Sequence, residues 1–189
     1  KLAVSEGYQH FGLIFWQMAI GAAVMTPIAL IRRTKLPLGG RQIRMYMFIA
    51  LIGSLLPNTA SYQAAVHLPS GILSILLSMI PIWAFPIALL LSLDSFEWRR
   101  FLGLLVGLSS VLLLVLPGAE LTLALPVLWV LVALISGMFY AFEGNFVAKW
   151  GTAGLDPIQL LWGASIVGMI LSLPVAIGSG QWIDPRPPY

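Results

Sequence analysis

Residues 67–93 read HLPSGILSILLSMIPIWAFPIALLLSL, twenty-seven residues without one acidic, lysine or arginine side chain. A buried strand uses apolar runs of about 4 to 8 residues, whereas a helix rising 1.5 Å per residue needs about 20 to cross a hydrocarbon core of about 30 Å. The stretch is therefore read as a membrane-spanning helix. The charges that bound it are Arg44 and Asp94, with forty-nine uncharged residues between them, enough for two spans. Proline ends or begins helices, so the break is placed at His67-Leu68-Pro69, giving spans at 45–66 and 69–92.

The whole chain has the same character. Of 189 residues 59% are hydrophobic and 9% charged, with a mean hydropathy of +0.95; a soluble domain carries about 25% charge. Too few charges exist to coat a water-facing surface. Ten-residue barrel strands would alternate polar and apolar positions, which IALLLSL and VGLSSVLLLVL do not. With no cysteine there is no disulfide framework, thiolate metal site or cysteine nucleophile. The net charge of +3 is read as membrane orientation and not as affinity for nucleic acid, because the basic residues gather at the ends of apolar runs.

The same rule places four further spans, at 11–31, 101–116, 126–148 and 157–177, six in all. Lysine and arginine accumulate in cytoplasmic loops. Arg32, Arg33, Lys35, Arg41 and Arg44 follow span one, Arg99 and Arg100 follow span three, and Lys149 follows span five. The connections after spans two and four hold none. Span one is thus expected to run from outside to inside. A start outside the membrane without a signal-peptide pattern reads as an excerpt that lacks an upstream span.

FWQMAIGAAVMTPIAL at 15–30 and LWGASIVGMILSLPVAI at 161–177 are alike: Trp16, Gly21 and Pro27 correspond to Trp162, Gly168 and Pro174, with one extra residue between Trp and Gly. The two glycines are 147 residues and five spans apart. An odd number of spans reverses direction, so the copies would be antiparallel, as in the inverted repeats of secondary transporters. Chance coincidence of small and apolar residues is the competing reading.

Residues 67–93 also resemble the hallmark of EamA-like proteins in the drug/metabolite transporter superfamily: a small-residue start (Ser70, Gly71, Ser74), a leucine-rich stretch, then Pro81 followed by an aromatic and a further apolar run. The charged loop Asp94–Arg100, the helix GLLVGLSSVLLLVLP, and then FYAFEGNFVAKWG and LDPIQLLWGAS follow in order. The resemblance implies an all-α integral membrane protein, a polytopic helical bundle belonging to an inverted five-plus-five repeat. On that template residues 1–117 hold helices two to five of the first repeat, without its first helix. Residues 118–189 hold the first two helices of the second, without its last three.

An ionisable group within a span is a functional hypothesis by default. Of seven acids only Glu143 lies well inside a predicted helix. Tyr140, three residues before it, shares its face. Glu143 is read either as a substrate-amine contact or proton-coupling carboxylate, or as an interfacial side chain that snorkels or pairs with a cation such as Lys149. Asn58 and Tyr62, just after Pro57, share a face and either line a cavity or tie helices together. Trp16 and Trp83 are the aromatic candidates for the cavity, against ordinary packing or an interfacial belt. His67 is read as a capping or solvated histidine at the outer surface, against a proton relay. Gly103 and Gly107 form a small-xxx-small pattern that serves packing or a homodimer.

An intramembrane aspartyl protease needs two intramembrane aspartates, a serine protease a histidine at membrane depth, and a metal site a His and carboxylate set; the spans supply none of these, so no catalytic residue, metal or cofactor is expected. No GxxxxGK[ST] string is present for nucleotide hydrolysis. The expectation is a secondary active transporter, an exporter or exchanger that moves a small organic metabolite across a bacterial inner membrane by alternating access. Its partners would be that substrate, protons and the lipid bilayer. The alternative is a non-transporting structural or assembly subunit, or a truncated fragment.

Overall fold

A computed structural model of the chain describes residues 9–115 and 127–183, with side chains to residue 109 in the first stretch and throughout the second. Its helices are α1 (His10–Ile31), α2 (Gly40–Ala50), α3 (Leu56–His67), α4 (Ser70–Ser78), α5 (Ile80–Leu90), α6 (Trp98–Val115), α7 (Val127–Trp150) and α8 (Pro157–Gly178). A π-helical turn, Leu51–Leu55, joins α2 to α3. No strand occurs among the described residues. Five runs are long and apolar enough to cross a membrane: His10–Ile31, Gly40–His67, Ser70–Leu90, Val127–Trp150 and Pro157–Gly178. The remaining expected span, 101–116, coincides with α6 for its described part.

Burial is that of a helical membrane protein. Many fully buried positions are small (Ala29, Ala50, Ala133, Ser136, Ala176), which lets backbones approach closely, while Ile31 and Leu90 are 82% and 84% exposed. Two helices depart from the simple spans. The second begins at Gly40, five residues before the expected 45, because Arg44 folds its Nε back on the Gly40 carbonyl at 3.3 Å and is tolerated inside a helix. Pro57 has no N–H to offer the preceding turn. That turn widens, with the Leu56 N–H on the Leu51 carbonyl, and the Thr59 hydroxyl donates to the Leu55 carbonyl at 2.7 Å. The third span is not one helix. It breaks at Met79, whose N–H bonds to the Leu76 carbonyl, and restarts with Pro81 in the first turn of α5, where a missing N–H costs nothing.

The chain divides into two compact units, one of residues 1–59 and 151–189 and one of residues 60–150; the division falls within α3. In the first unit α1 and α8 lie antiparallel along their length: Phe11 meets Gln181, Gly21 meets Ser165 and Thr26 meets Trp162. Tyr46 of α2 is buried against Gly163, its hydroxyl donating to the Pro37 carbonyl at 3.2 Å. Asp156 caps α8, accepting from the Ile158 and Gln159 N–H groups while the Gln159 side chain accepts from Asp156 N–H. Both helices end alike. Arg33 (φ 51°) and Gly180 (φ 70°) are left-handed, the next N–H reaching back to Ala29 and Ala176 respectively. In the second unit Ala64, Leu68, Leu76 and Ala133 form the core, covered by Ile72, Leu73, Trp129 and Val130.

Candidate functional site

In the second unit α3, α5 and α7 bring four of the expected residues into one region. The Ser61 and Ser136 hydroxyls share a buried hydrogen bond of 2.6 Å, which fixes α3 against α7. Tyr62 follows Ser61, and Tyr140 stands one turn beyond Ser136. Tyr140 lies within electrostatic range of both Tyr62 and Glu143. From α5 the Trp83 ring reaches Gly137, one turn before Tyr140, at 3.8 Å from where a Cβ would stand. Glu143 is half-buried, about 10 Å from the end of α7 by helical rise.

No lysine or arginine among the described residues pairs with Glu143; the ion pairs are those of Arg100 with Asp94 and with Glu97, the latter at 3.3 Å. Lys149 is engaged elsewhere. Its Nζ donates to the Leu91 carbonyl at 2.5 Å, where a cation also offsets the dipole at the end of α5, and lies 5.4 Å from the Trp150 ring centroid.

The other two expected residues belong to the first unit. Asn58 is buried, and its Nδ2 donates to the Gln17 Oε1 at 3.3 Å. Trp16 donates its indole N–H to the Ile183 carbonyl at 3.0 Å and lies in a cluster with Phe15 and Trp182. His67 stacks on Trp129, with centroids 4.0 Å apart. Gly103 and Gly107 have open space where a Cβ would stand and border a cavity of about 280 Å³ with Ser78, Met79 and Pro81. A second cavity, of about 230 Å³, is lined by Phe85, Leu89, Phe96 and Phe101. Both are below the roughly 300 Å³ at which small-molecule sites begin, and neither includes a candidate residue.

Sequence reasoning passed over several groups. Asn145 bridges the Ala84 carbonyl at 3.1 Å and the Ala141 carbonyl at 2.8 Å, tying α7 to α5 beside Glu143. Its signal was available, a carboxamide within FYAFEGNFVAKW. Ser136 and Gln17 are single polar residues in apolar runs, and nothing local separates them from solvated or back-bonded ones. Among the described residues no three His, Cys, Asp or Glu side chains gather as a metal site.

The described residues thus hold helices, five runs of which are long and apolar enough to cross a membrane, with a half-buried carboxylate, Glu143, well inside one. The model of the EamA-like transporter family matches residues 1–116, more than half of the chain. The chain belongs to that family. It is also 24% identical over 176 residues to an uncharacterized transporter, YdfC, of Bacillus subtilis (strain 168). That match covers 89% of this chain and 55% of the relative, so the chain spans about half the relative's length. No solved structure matches this EamA-like chain.

Proposed function

We propose that this EamA-like chain acts in a secondary active transporter that carries a small organic metabolite across a bacterial inner membrane by alternating access, with Glu143 as substrate contact or coupling group. One observation carries the reading: Glu143 stands half-buried near Tyr140 with no cation among the described residues paired to it, while Lys149, the closest basic residue in sequence, donates to the Leu91 carbonyl. A carboxylate held in a span without a paired cation is able to exchange a proton for a substrate group. Tyr62, Tyr140 and Trp83, in the same unit, would supply polar and aromatic contacts to the substrate, and Asn58 and Trp16 stand in the first unit.

The antiparallel α1 and α8 support an inverted repeat. A shift of 147 residues carries Gly21 onto Gly168 and Met18 onto Ser165, so it exchanges two observed contacts, Gly21 with Ser165 and Gly168 with Met18. Self-exchanging contacts are the mark of a two-fold axis. The same shift carries Arg33 onto Gly180, the left-handed residues that end both helices. This supports a bundle of six spans taken from two inverted halves, residues 1–117 and 118–189.

The test uses the full-length protein in proteoliposomes with a panel of radiolabelled amino acids and small organic amines. Glu143→Gln keeps the shape and removes the titration, so uptake should lose its pH dependence with expression unchanged, and Glu143→Asp should retain part of it. Uptake and pH dependence equal to the parent's in Glu143→Gln would remove Glu143 from the mechanism. No uptake of any probe by the parent would favour the structural-subunit reading.

A further inference from the structure

α1 and α8 are tied at both ends and in the middle. Where α1 begins, the Gln181 Oε1 accepts the Phe11 N–H at 3.1 Å and the Ile183 carbonyl accepts the Trp16 indole N–H at 3.0 Å. Trp182 lies beside Phe15, ring centroids 5.2 Å apart. At the opposite end the Gln159 Nε2 donates to the Lys35 carbonyl at 2.9 Å and the Trp162 indole N–H to the Thr26 hydroxyl at 3.1 Å. Midway, Gly21 and Gly168 let the backbones close against Ser165 and Met18. The end ties also form a related pair: residues 181–183, just after α8, bind the start of α1, and Lys35, just after α1, binds the start of α8.

We infer that α1 and α8 form a fixed clamp on the two-fold axis of the transport cycle, closed at both ends in every state, so that the substrate path never opens between them. The inference rests on the alternating-access reading above. A seam that serves as a gate is sealed on one side of the membrane while it is open on the other. This seam is sealed on both. Exchange of the two repeats, which would generate the opposite-facing state, carries the Gly21–Ser165 contact onto the Met18–Gly168 contact and one end tie onto the other. The seam therefore keeps its contacts when the protein turns, and the faces that move are other ones. Trp16, on this account, is a positioning residue that holds a strap across the end of the clamp.

These 189 residues hold no cysteine, and any cysteine elsewhere in the full-length protein is first replaced by serine. A Cβ on Gly21 would lie 3.6 Å from the Ser165 Cβ, inside the separation a disulfide spans. In the full-length protein, Gly21→Cys with Ser165→Cys should cross-link on oxidation without loss of uptake of the radiolabelled amino-acid and amine panel. Loss on oxidation with recovery on reduction would overturn the clamp. A second measurement needs no transport: single Ser165→Cys should stay unmodified by a charged methanethiosulfonate reagent added from either side, at acid and at alkaline pH. Modification as fast as that of a Gly39→Cys reporter would place an aqueous path in the seam and overturn it. If neither parent nor variant takes up any probe, the transport reading falls, and the reagent result still decides the clamp.

Discussion

Gly163→Ala should be among the most damaging single-methyl additions in the first unit. The new Cβ would stand under 3.0 Å from three ring atoms of Tyr46. That ring is 1% exposed and tethered through its hydroxyl to the Pro37 carbonyl. Carbon contacts are comfortable at about 3.5–4.0 Å, so the ring must retreat by roughly 1 Å into filled space. Overpacking of this kind costs about 1–3 kcal/mol, and loss of the tyrosine tether adds about 1 kcal/mol. The gain in helix propensity from glycine to alanine offsets about 1 kcal/mol. The net is a destabilisation of about 1–3 kcal/mol, which lowers Tm by roughly 2–12 °C in a chain of this size. Heating the detergent-solubilised protein and following the surviving peak by fluorescence-detected size-exclusion chromatography measures it. In a Tyr46→Ala background, itself destabilised, the same Gly163→Ala change should be neutral or stabilising, because the ring it strikes is gone. Gly144→Ala, where nothing lies within 4 Å, is the control and should leave Tm unchanged or raise it. Equal effects of Gly163→Ala with and without the Tyr46 ring would refute the close-approach account.

Orientation is checked with single cysteines in intact cells: an impermeant thiol reagent should label Glu120→Cys and spare Gly39→Cys, and labelling at position 39 would reverse the topology. Ser136→Ala should destabilise by about 0.6 kcal/mol, the mean for hydrogen bonds between membrane helices, and adding Ser61→Ala should cost little more, since the 2.6 Å bond is already gone; additive losses in a thermal double-mutant cycle would show that the hydroxyls act separately.

Five spans were legible because charge is so scarce here that the gaps between charges mark the helices: 157–177 was expected and α8 runs Pro157–Gly178. Charge gaps do not mark a helix that carries charges within it, as α2 carries Arg41 and Arg44, or one interrupted without a charge, as at Met79. Hydropathy is continuous through Ser78-Met79-Ile80-Pro81. Only the pairing of backbone groups reveals the break. Likewise, the spacing of Tyr140 and Glu143 put them on one face from sequence, but their neighbours come from other helices and depend on tertiary contacts such as Ser61 with Ser136. The tie of Lys149 to the Leu91 carbonyl could not be read from its distance to Glu143 along α7, because the acceptor is fifty-eight residues away.

The first unit joins residues 1–59 to residues 151–189, whereas the second is one continuous stretch. Synthesis therefore delivers α1 long before its partner. From Ile31 to Pro157 the ribosome must add some 125 residues, which at about 5–20 residues per second takes roughly 6–25 s. During that interval the small-residue face of α1, with Gly12 and Gly21 open, waits in lipid or against the insertion machinery without the helix that fills it. Any lesion that delays α8 prolongs this exposure, so substitutions at Ser165 or Gly168 are expected to reduce the yield of inserted protein in cells more than they reduce its heat stability once assembled.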